Sequence, residues 1–563
     1  MKKSAKSYST EINGFFGIDR SSVFGEDGCE QLRNFRIDAS GALVKRSGRK
    51  KLRAFSSPVS SVIGYRTESA DGNADMLVAA PPYVYAVDSE GEVCRTLSTN
   101  AAKYGERVSV GLFGGTPYLF DGNEISAYNV HTDAFNAALQ IYIPTYGKDW
   151  DQHTGGEVLE RPNLLTSSVI ITYRANGKDG NIKIPQGFWV EYIAVNGVMT
   201  DEYSFDQQSS VITVNELSEG DEITARLGNN IASSGNSRLL RACRSFCKIG
   251  GGDGERLVCF DPKANGSYIF CSQPTQSGEL YFPDELQLRI GNSLSPVTAV
   301  CPCGEDFVAF TEDSAILGVF EDGRPKLSML ADGIGALSRG AVCSDGRNIY
   351  TVSAGGFYRI DINFSIPDES TLEKISSPIE RDANFEIGPS CSVFDNEPDG
   401  ELWFCCPQAI FIFNKKFKRF CSFDGMSPVA LLAQSGKLLL FESSAYWRFY
   451  EGLYRDVETD LTSLPIEATV RTRWLGLGDP EAQKRGLVIT PFFSIGGGGE
   501  FTLCAETDSG LRKEFSVEAR TMSETESKRV RVTGCRFKFM RFSVTSGSDA
   551  RPVIYGAVIT ATS

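Results

Sequence analysis

The sequence predicts an almost entirely β-stranded protein: a β-propeller of six or seven blades with an inserted small β-domain and a C-terminal β-sandwich. The chain has 563 residues, which is more than one hydrophobic core usually holds. Its 56 glycines and 36 phenylalanines, against only 7 methionines, favour short aromatic strands joined by tight turns over long helices. A β-rich unit also recurs along most of the chain, and this repeat is what predicts the propeller.

The recurring unit contains two apolar runs around a turn and then a more amphipathic run, and it returns about every 35–45 residues. Clear copies lie at residues 297–320, 341–360 and 402–413. A single four-stranded blade cannot bury both of its faces, whereas blades packed around an axis can. We therefore expect a propeller. A row of unrelated β-sandwiches is the alternative that the repeat leaves open.

Breaks in this period predict the domain organisation. Residues 1–57 are expected to form a basic N-terminal arm with the first strands, and residues 58–140 and 233–463 the propeller. Residues 141–232 interrupt the period with alternating strands and are predicted to be an inserted β-domain. Residues 464–563 contain longer alternating strands, which are typical of a terminal sandwich.

Charge is distributed unevenly along the chain. The net charge is −14, but residues 1–53 contain twelve Lys/Arg and six Asp/Glu, a balance of +6 that leaves −20 (−14 − 6) for residues 54–563. We interpret a basic cluster in this first segment as an assembly contact with acidic groups of an adjacent subunit or a connector protein. A solvated strand edge and a direct DNA contact are the alternatives. The residues of the cluster are Lys45, Arg46, Arg49, Lys50, Lys51 and Arg53.

The first 52 residues also carry an ordered set of features. Asn13-Gly14-Phe15 is followed by Asn34-Phe35 and then by a G-x-L-x-x-R-x-G stretch from Gly41 to Gly48. In this order the features resemble the opening of the tail hub or nozzle proteins of podovirus-type phages, also known as tail tubular protein B or packaged-DNA stabilisation protein. Residues 307–338 and the closing strands within 541–558 resemble the same family more weakly. The order of the motifs, rather than any single motif, carries the resemblance.

The resemblance implies a structural component of a bacteriophage tail. The family forms a ring below the portal and adaptor, which implies a homohexamer that channels and retains the genome until DNA ejection. The implied partners are further copies of this chain, adaptor or connector proteins, tail fibre or tip proteins, and genomic DNA in weak contact. The implied location is the tail of the virion, after assembly in the host cytoplasm and without membrane insertion. The net charge of −20 on residues 54–563 is consistent with weak DNA contact, because negative charge repels phosphate.

Residues that could carry catalysis are sparse. The two histidines, His131 and His153, have no G-x-S-x-G nucleophile to serve, and the S-x-D-x-G-x-x-W signature of sialidase blades is absent. Residues 71–75 imitate the start of a calcium loop, but Met76 replaces its glycine. The glycine run at 250–254 lacks the Lys-Ser/Thr of a phosphate loop and is interpreted as an inter-blade connection.

The fifteen cysteines lack zinc-ligand spacing and are interpreted as small, reduced core residues. We therefore expect no catalytic site, no cofactor and no metal. The alternative function is a glycan-binding adhesin or depolymerase that uses a propeller face. It predicts exposed Trp and Tyr side chains near carboxylates, whereas the five tryptophans fall mostly in apolar strand patterns: Trp150, Trp189, Trp403, Trp447 and Trp474.

Overall fold

The computed structural model describes most of the chain. The described residues are 6–15, 17–26, 28–67, 73–99, 102–136, 140–177, 179–275, 278–292, 294–364, 366–434, 436–459, 462–496, 499–518, 525–547, 549 and 551–562. No helix in these ranges is both long and apolar enough to cross a membrane.

Five strands precede the first complete blade, and they do not form a unit of their own. Four of them pair with a strand that lies much later in the sequence, and the third pairs with the fourth. The strands are β1 (Ser7–Ile12), β2 (Cys29–Arg33), β3 (Phe35–Ile37), β4 (Leu43–Lys45) and β5 (Gly48–Ala54).

The next eight strands form the first two blades, each an antiparallel four-stranded sheet in sequential order. The blades form locally because tight turns return each strand onto the preceding one. The strands are β6 (Ser61–Thr67), β7 (Ala74–Ala80), β8 (Tyr83–Val87), β9 (Val93–Ser98), β10 (Ser109–Phe113), β11 (Thr116–Phe120), β12 (Ile125–Asn129) and β13 (Ala134–Asn136).

The inserted domain follows, in the connection between the second and third blades. A five-stranded sheet packs against a three-stranded one around its own apolar core. A short helix, α1 (Gly235–Arg241), leads back to the propeller, and Ser234 caps its N-terminus. The strands are β14 (Thr145–Asp151), β15 (Ser168–Arg174), β16 (Asn181–Lys183), β17 (Trp189–Val195), β18 (Val198–Thr200), β19 (Tyr203–Asp206), β20 (Val211–Val214) and β21 (Glu222–Gly228).

Blades three to six follow without interruption. The second strand of each of these blades is buried on both faces, because a neighbouring blade packs against each face. In the fourth blade, Phe307 is fully buried and its ring lies over Gly318, where an added Cβ would come 2.3 Å from the ring. A helical turn, α2 (Pro262–Asn265), lies within the third blade. The strands are β22 (Ser245–Ile249), β23 (Arg256–Phe260), β24 (Tyr268–Cys271), β25 (Gln287–Arg289), β26 (Ala299–Cys303), β27 (Asp306–Phe310), β28 (Ser314–Glu321), β29 (Arg324–Asp332), β30 (Val342–Ser344), β31 (Asn348–Ser353), β32 (Gly356–Asp361), β33 (Thr371–Lys374), β34 (Ser392–Asn396), β35 (Glu401–Cys405), β36 (Ile410–Asn414) and β37 (Arg419–Phe423).

The seventh blade is built from both ends of the propeller segment. Its first three strands are consecutive, and its fourth is β5 from the N-terminal region; two further strands extend this sheet. The innermost strands of the seven blades contact one another in a closed ring, and the first strand of this blade lies against β6 at the junction. The strands are β38 (Pro428–Gln434), β39 (Lys437–Glu442), β40 (Ala445–Tyr450), β41 (Arg455–Thr459) and β42 (Thr462–Pro465).

A C-terminal sandwich completes the fold and incorporates the remaining N-terminal strands. One sheet combines β1, β3 and β4 with the long strands β44 (Lys484–Gly496) and β50 (Arg551–Thr562), while β2 joins the other sheet beside β43 (Ala468–Thr472). β2 also meets β37, so this second sheet is continuous with the sixth blade. The strands are β43 (Ala468–Thr472), β44 (Lys484–Gly496), β45 (Glu500–Thr507), β46 (Arg512–Glu518), β47 (Glu526–Ser527), β48 (Val530–Phe537), β49 (Met540–Ser546) and β50 (Arg551–Thr562).

The predicted fold class is confirmed: the chain is all-β, with seven propeller blades, an inserted β-domain and a C-terminal sandwich. The glycine run at 250–254 is not an inter-blade connection, because it forms the turn between β22 and β23 inside the third blade. Most cysteines are buried and all fifteen are free thiols.

Candidate functional site: the closure of the propeller

The basic segment singled out in the sequence lies where the propeller closes. β5 runs antiparallel to β40, with Gly48 opposite Tyr450 and Ala54 opposite Ala445. On its other side it meets β41 in parallel. The segment therefore fastens the two ends of the propeller to each other.

Arg46 lies just before β5 and is buried, with 3% of its surface exposed. Its guanidinium donates to both carboxylate oxygens of Asp456, at 3.1 Å to Oδ1 and 2.8 Å to Oδ2, and its Nε donates to Asn34 Oδ1 at 3.1 Å. A two-point guanidinium–carboxylate contact is among the strongest hydrogen-bonding arrangements in proteins. Arg46 thus connects the N-terminal region to the strand that leaves the last blade.

Asn34 links three segments at this position. Its Nδ2 donates to Asp424 Oδ1 at 2.5 Å and to the Glu467 carbonyl at 2.7 Å, and its Oδ1 accepts the Asp424 N–H at 3.2 Å. Its backbone has φ = 57°, a left-handed conformation that asparagine tolerates better than most residues. Asparagine therefore satisfies both the local conformation and the hydrogen bonds.

Arg49 makes the second buried ion pair, from within β5. Its Nη1 donates to Glu442 Oε1 at 2.7 Å and its Nη2 to the Gly425 carbonyl at 2.5 Å. The guanidinium carbon lies 4.2 Å from the centre of the Trp447 ring, a cation–π contact. Its backbone N–H also donates to Asp456 Oδ1 at 3.3 Å.

We call Asn34, Arg46, Arg49, Asp424, Glu442 and Asp456 the closure cluster. Gly48 lies beside it, and an added Cβ there would come 2.1 Å from the Arg455 carbonyl oxygen, so only glycine fits. Each carboxylate of the cluster already accepts hydrogen bonds from groups of this chain. The cluster is therefore built to hold strands together.

Three of the six predicted contact residues are buried. Lys45, Arg46 and Arg49 are 2%, 3% and 4% exposed. They therefore do not present a surface to a second protein, because their own chain covers them. The sequence interpretation is corrected for these three: the acidic partners that it expected on another protein lie for Arg46 and Arg49 about 400 positions later in this chain.

Lys45 lies in β4, where its Nζ is 3.5 Å from the Ser546 carbonyl. Burial lowers the pKa of this ammonium to about 8, against the opposing effect of Asp549. The other three residues lie in β5 nearer the surface. Lys50 and Arg53 are exposed, Lys51 pairs with Glu458 at 3.3 Å, and for these three an assembly contact stays a prediction.

A side chain spans the axis of the propeller. This side chain is Arg339, which directly precedes the innermost strand of the fifth blade. Its Nη1 donates to the Ser109 hydroxyl in the second blade and, at 3.4 Å, to the Arg244 carbonyl next to the third blade. The second and fifth blades are not neighbours, so this contact crosses the axis. Burial lowers the pKa of Arg339 to about 10. A nucleic-acid duplex consequently has no path through this axis.

The side chains considered for chemistry lie apart from the closure cluster. His131 and His153 are exposed in turns, and His153 lies 3.6 Å from Asp179. Trp150, Trp403 and Trp447 are buried, which removes them from any glycan-binding face. Within the described ranges, His, Cys, Asp and Glu side chains form no group of three suited to a metal ion. Of the calcium-like run, residues 71 and 72 lie outside the described residues.

The basic pattern of the sequence marked Arg46 and Arg49, whereas nothing in it marked their acidic partners or Arg339. The available signal was the charge of +6 on residues 1–53 against −20 on residues 54–563, which indicates that acidic partners exist but not which residues they are.

No family model and no curated protein matches the chain. Solved structures are similar at low identity. The extracellular domain of a protein named as a one component system from B. thetaiotaomicron is 9% identical with a TM-score of 0.37; the match covers 89% of this chain and 62% of that chain. A protein named as a 6-phosphogluconolactonase from Bacteroides uniformis is 12% identical with a TM-score of 0.33, covering 79% of this chain and 99% of that one. The WD40 domain of SCAP from fission yeast is 7% identical with a TM-score of 0.31, covering 74% and 95%.

Proposed function

We propose that this chain is a non-enzymatic structural subunit of a bacteriophage tail, a hub or nozzle whose copies form a ring below the portal and adaptor. In this role it channels and retains the genome and carries other tail parts. The ordered motifs of the N-terminal region lead to this proposal, and the closure cluster supports it by giving those motifs a physical purpose.

The supporting observation is that motif residues far apart in the arm meet at one place. Asn34 of the N-F pair accepts a hydrogen bond from Arg46 of the G-x-L-x-x-R-x-G stretch at 3.1 Å. Leu43 of that stretch is fully buried, and Gly48 lies where no Cβ fits. The pattern therefore encodes a way of closing a propeller with an N-terminal strand.

Such a closure suits a part that carries mechanical force. Pulling on either end of the propeller segment loads the ladder between β5 and β40 together with the buried ion pairs of Arg46 and Arg49. These contacts hold the same segment, so opening the propeller at this junction requires them to break. A tail component that retains packaged DNA meets this kind of load.

The genome would pass between copies, because Arg339 spans the axis within one copy. Residues 54–563 carry a net charge of −20, so we expect the wall of a pore formed by several copies to be mainly acidic. Acidic walls repel phosphate and let DNA slide without binding tightly. The inserted domain, the terminal sandwich and the exposed residues of β5 are proposed to meet neighbouring copies.

The experiment is ring assembly of the purified full chain, followed by light scattering. The exposed residues of β5 are tested with K50E/R53E, and K326E on the outer strand of the fourth blade serves as the matched control. We expect an oligomer for the wild type and for K326E, and loss of the oligomer for K50E/R53E. Assembly unaffected by K50E/R53E would refute the assembly contact, and a wild-type chain that stays monomeric would refute the ring. Retention on host polysaccharide columns would support the adhesin alternative instead.

A further inference from the structure

Cys391 and Cys406 face each other at one end of the sixth blade. Their Sγ atoms lie 3.8 Å apart and share a hydrogen bond. Cys391 directly precedes β34 and Cys406 directly follows β35. Because Ser392 is opposite Cys405 in this antiparallel ladder, the next pair across the two strands is Cys391 with Cys406.

The backbone at this pair suits a disulfide. The Cys391 N–H donates to the Gly388 carbonyl and the Cys406 N–H to the Ala409 carbonyl, both at 2.9 Å, so neither N–H is bonded to the other cysteine. Non-hydrogen-bonded pairs in antiparallel ladders have Cα atoms about 4.5 Å apart, and disulfides span about 4.4–6.8 Å between Cα atoms. To form a disulfide, the two Sγ atoms therefore only have to approach each other from their present distance of 3.8 Å.

Cys391 is also the more reactive member of the pair. The hydrogen bond with Cys406 lowers the pKa of Cys391, against the opposing effect of burial and with help from the Gly388 N–H, which lies 3.3 Å from Sγ. At Cys343 and Cys405, by contrast, burial raises the pKa of the thiol. Thiolate therefore forms more readily at Cys391 than at these two buried thiols, and the thiolate is the form that reacts.

We propose that Cys391 and Cys406 are an oxidative modification site that forms a reversible disulfide when the protein meets a peroxide. Cys391 Sγ attacks one peroxide oxygen; an S–O bond forms, the O–O bond breaks, and the departing hydroxide takes up the proton released by Cys391. Cys406 Sγ then attacks the sulfenic sulfur; the S–S bond forms, the S–O bond breaks, and the second hydroxide takes up the Cys406 proton. Two thiols lose two electrons and two protons, and the peroxide becomes two waters.

A peroxide is the fitting oxidant because it is small. Cys391 is 1% exposed, which excludes a bulky disulfide from its sulfur, while half-buried Cys406 opens the pair toward the surface. The bridge would also fix the neighbouring segment of the fifth blade. The Ser338 hydroxyl donates to the Cys391 carbonyl at 3.3 Å, and the next residue is Arg339, which spans the axis. The inference does not depend on the proposed tail function.

The test is one molar equivalent of hydrogen peroxide on the folded full chain, followed by quenching, denaturation and thiol counting. The reduced chain has fifteen thiols, and we expect thirteen after oxidation (fifteen minus two). The intact mass should fall by about 2 Da, for two hydrogens, and a reductant should restore it. Peptide mapping without reduction should recover the segments of Cys391 and Cys406 joined together.

C391S is the test variant, and C94S is its control, because Cys94 is half-buried, as Cys406 is, and burial raises its pKa. C94S should still lose two thiols under peroxide, whereas C391S should lose none as a disulfide. The inference is overturned if the wild type keeps fifteen thiols, if mapping joins a different pair, or if C391S still loses two. Mapping on the wild type decides the matter even if C391S does not fold.

Discussion

Replacing Arg46 by methionine tests the closure cluster directly, because methionine keeps apolar bulk and removes the charge. The variant loses two hydrogen bonds to Asp456, one to Asn34, and one each to the carbonyls of Ser47 and Asp424. Breaking a buried ion pair typically costs about 3–5 kcal/mol. Asp456 keeps Arg49, whose Nε is 3.6 Å away and whose backbone N–H is at 3.3 Å, so we take the lower end, about 3 kcal/mol.

The loss should appear as local opening of β5, and amide hydrogen exchange measures it. A cost of about 3 kcal/mol corresponds to roughly hundredfold faster exchange where opening precedes exchange, since about 1.4 kcal/mol is a factor of ten. The effect should be confined to Gly48–Ala54 and its partner Ala445–Tyr450. R53M is the control in the same strand, because Arg53 is 42% exposed in its side chain and 3.9 Å from Glu92, a pair worth at most about 1 kcal/mol. If R46M and R53M exchange at the same rate in β5, the closure cluster does not hold the propeller shut.

Three further predictions concern Gly48, Lys45 and DNA. G48A should lower the free energy of unfolding in denaturant by about 2–3 kcal/mol, because the added Cβ would collide with a backbone oxygen. G235A is the control, since nothing lies within 4 Å of a Cβ there, and equal unfolding midpoints for the two variants would contradict the prediction. Because the pKa of Lys45 is lowered to about 8, the unfolded state keeps a proton between about pH 8 and 10.5 that the folded state loses, and the free energy of unfolding of the wild type should rise with pH across this window. K45M should lack this rise, and parallel pH profiles of wild type and K45M would refute the prediction. The purified chain should bind duplex DNA more weakly than about 10⁻⁵ M at physiological salt in fluorescence anisotropy, and tighter binding would contradict the acidic pore.

The blades were predictable because their strands are neighbours in sequence. Apolar runs separated by tight turns, such as β27 and β28, pair with each other, so a local pattern contains the whole ladder. The break in the period also marked the inserted domain. The pairing of β5 with β40 has no such local signal, since the partners lie almost 400 positions apart.

The candidate site was predicted in composition but not in role. The concentration of positive charge around Arg46 and Arg49 was visible in the sequence, but their acidic partners were expected on another protein and lie in this chain. What charge alone does not encode is whether the partner belongs to another molecule. Asp456 and Glu442 stand in ordinary strand patterns, and only the closing of the propeller brings them to the basic segment.

Electron microscopy of the purified full chain distinguishes a tail ring from an isolated propeller. We expect rings of several propellers around a common pore, with the axis of each propeller closed. Single discs at every protein concentration, or rings whose only openings are the propeller axes, would contradict it.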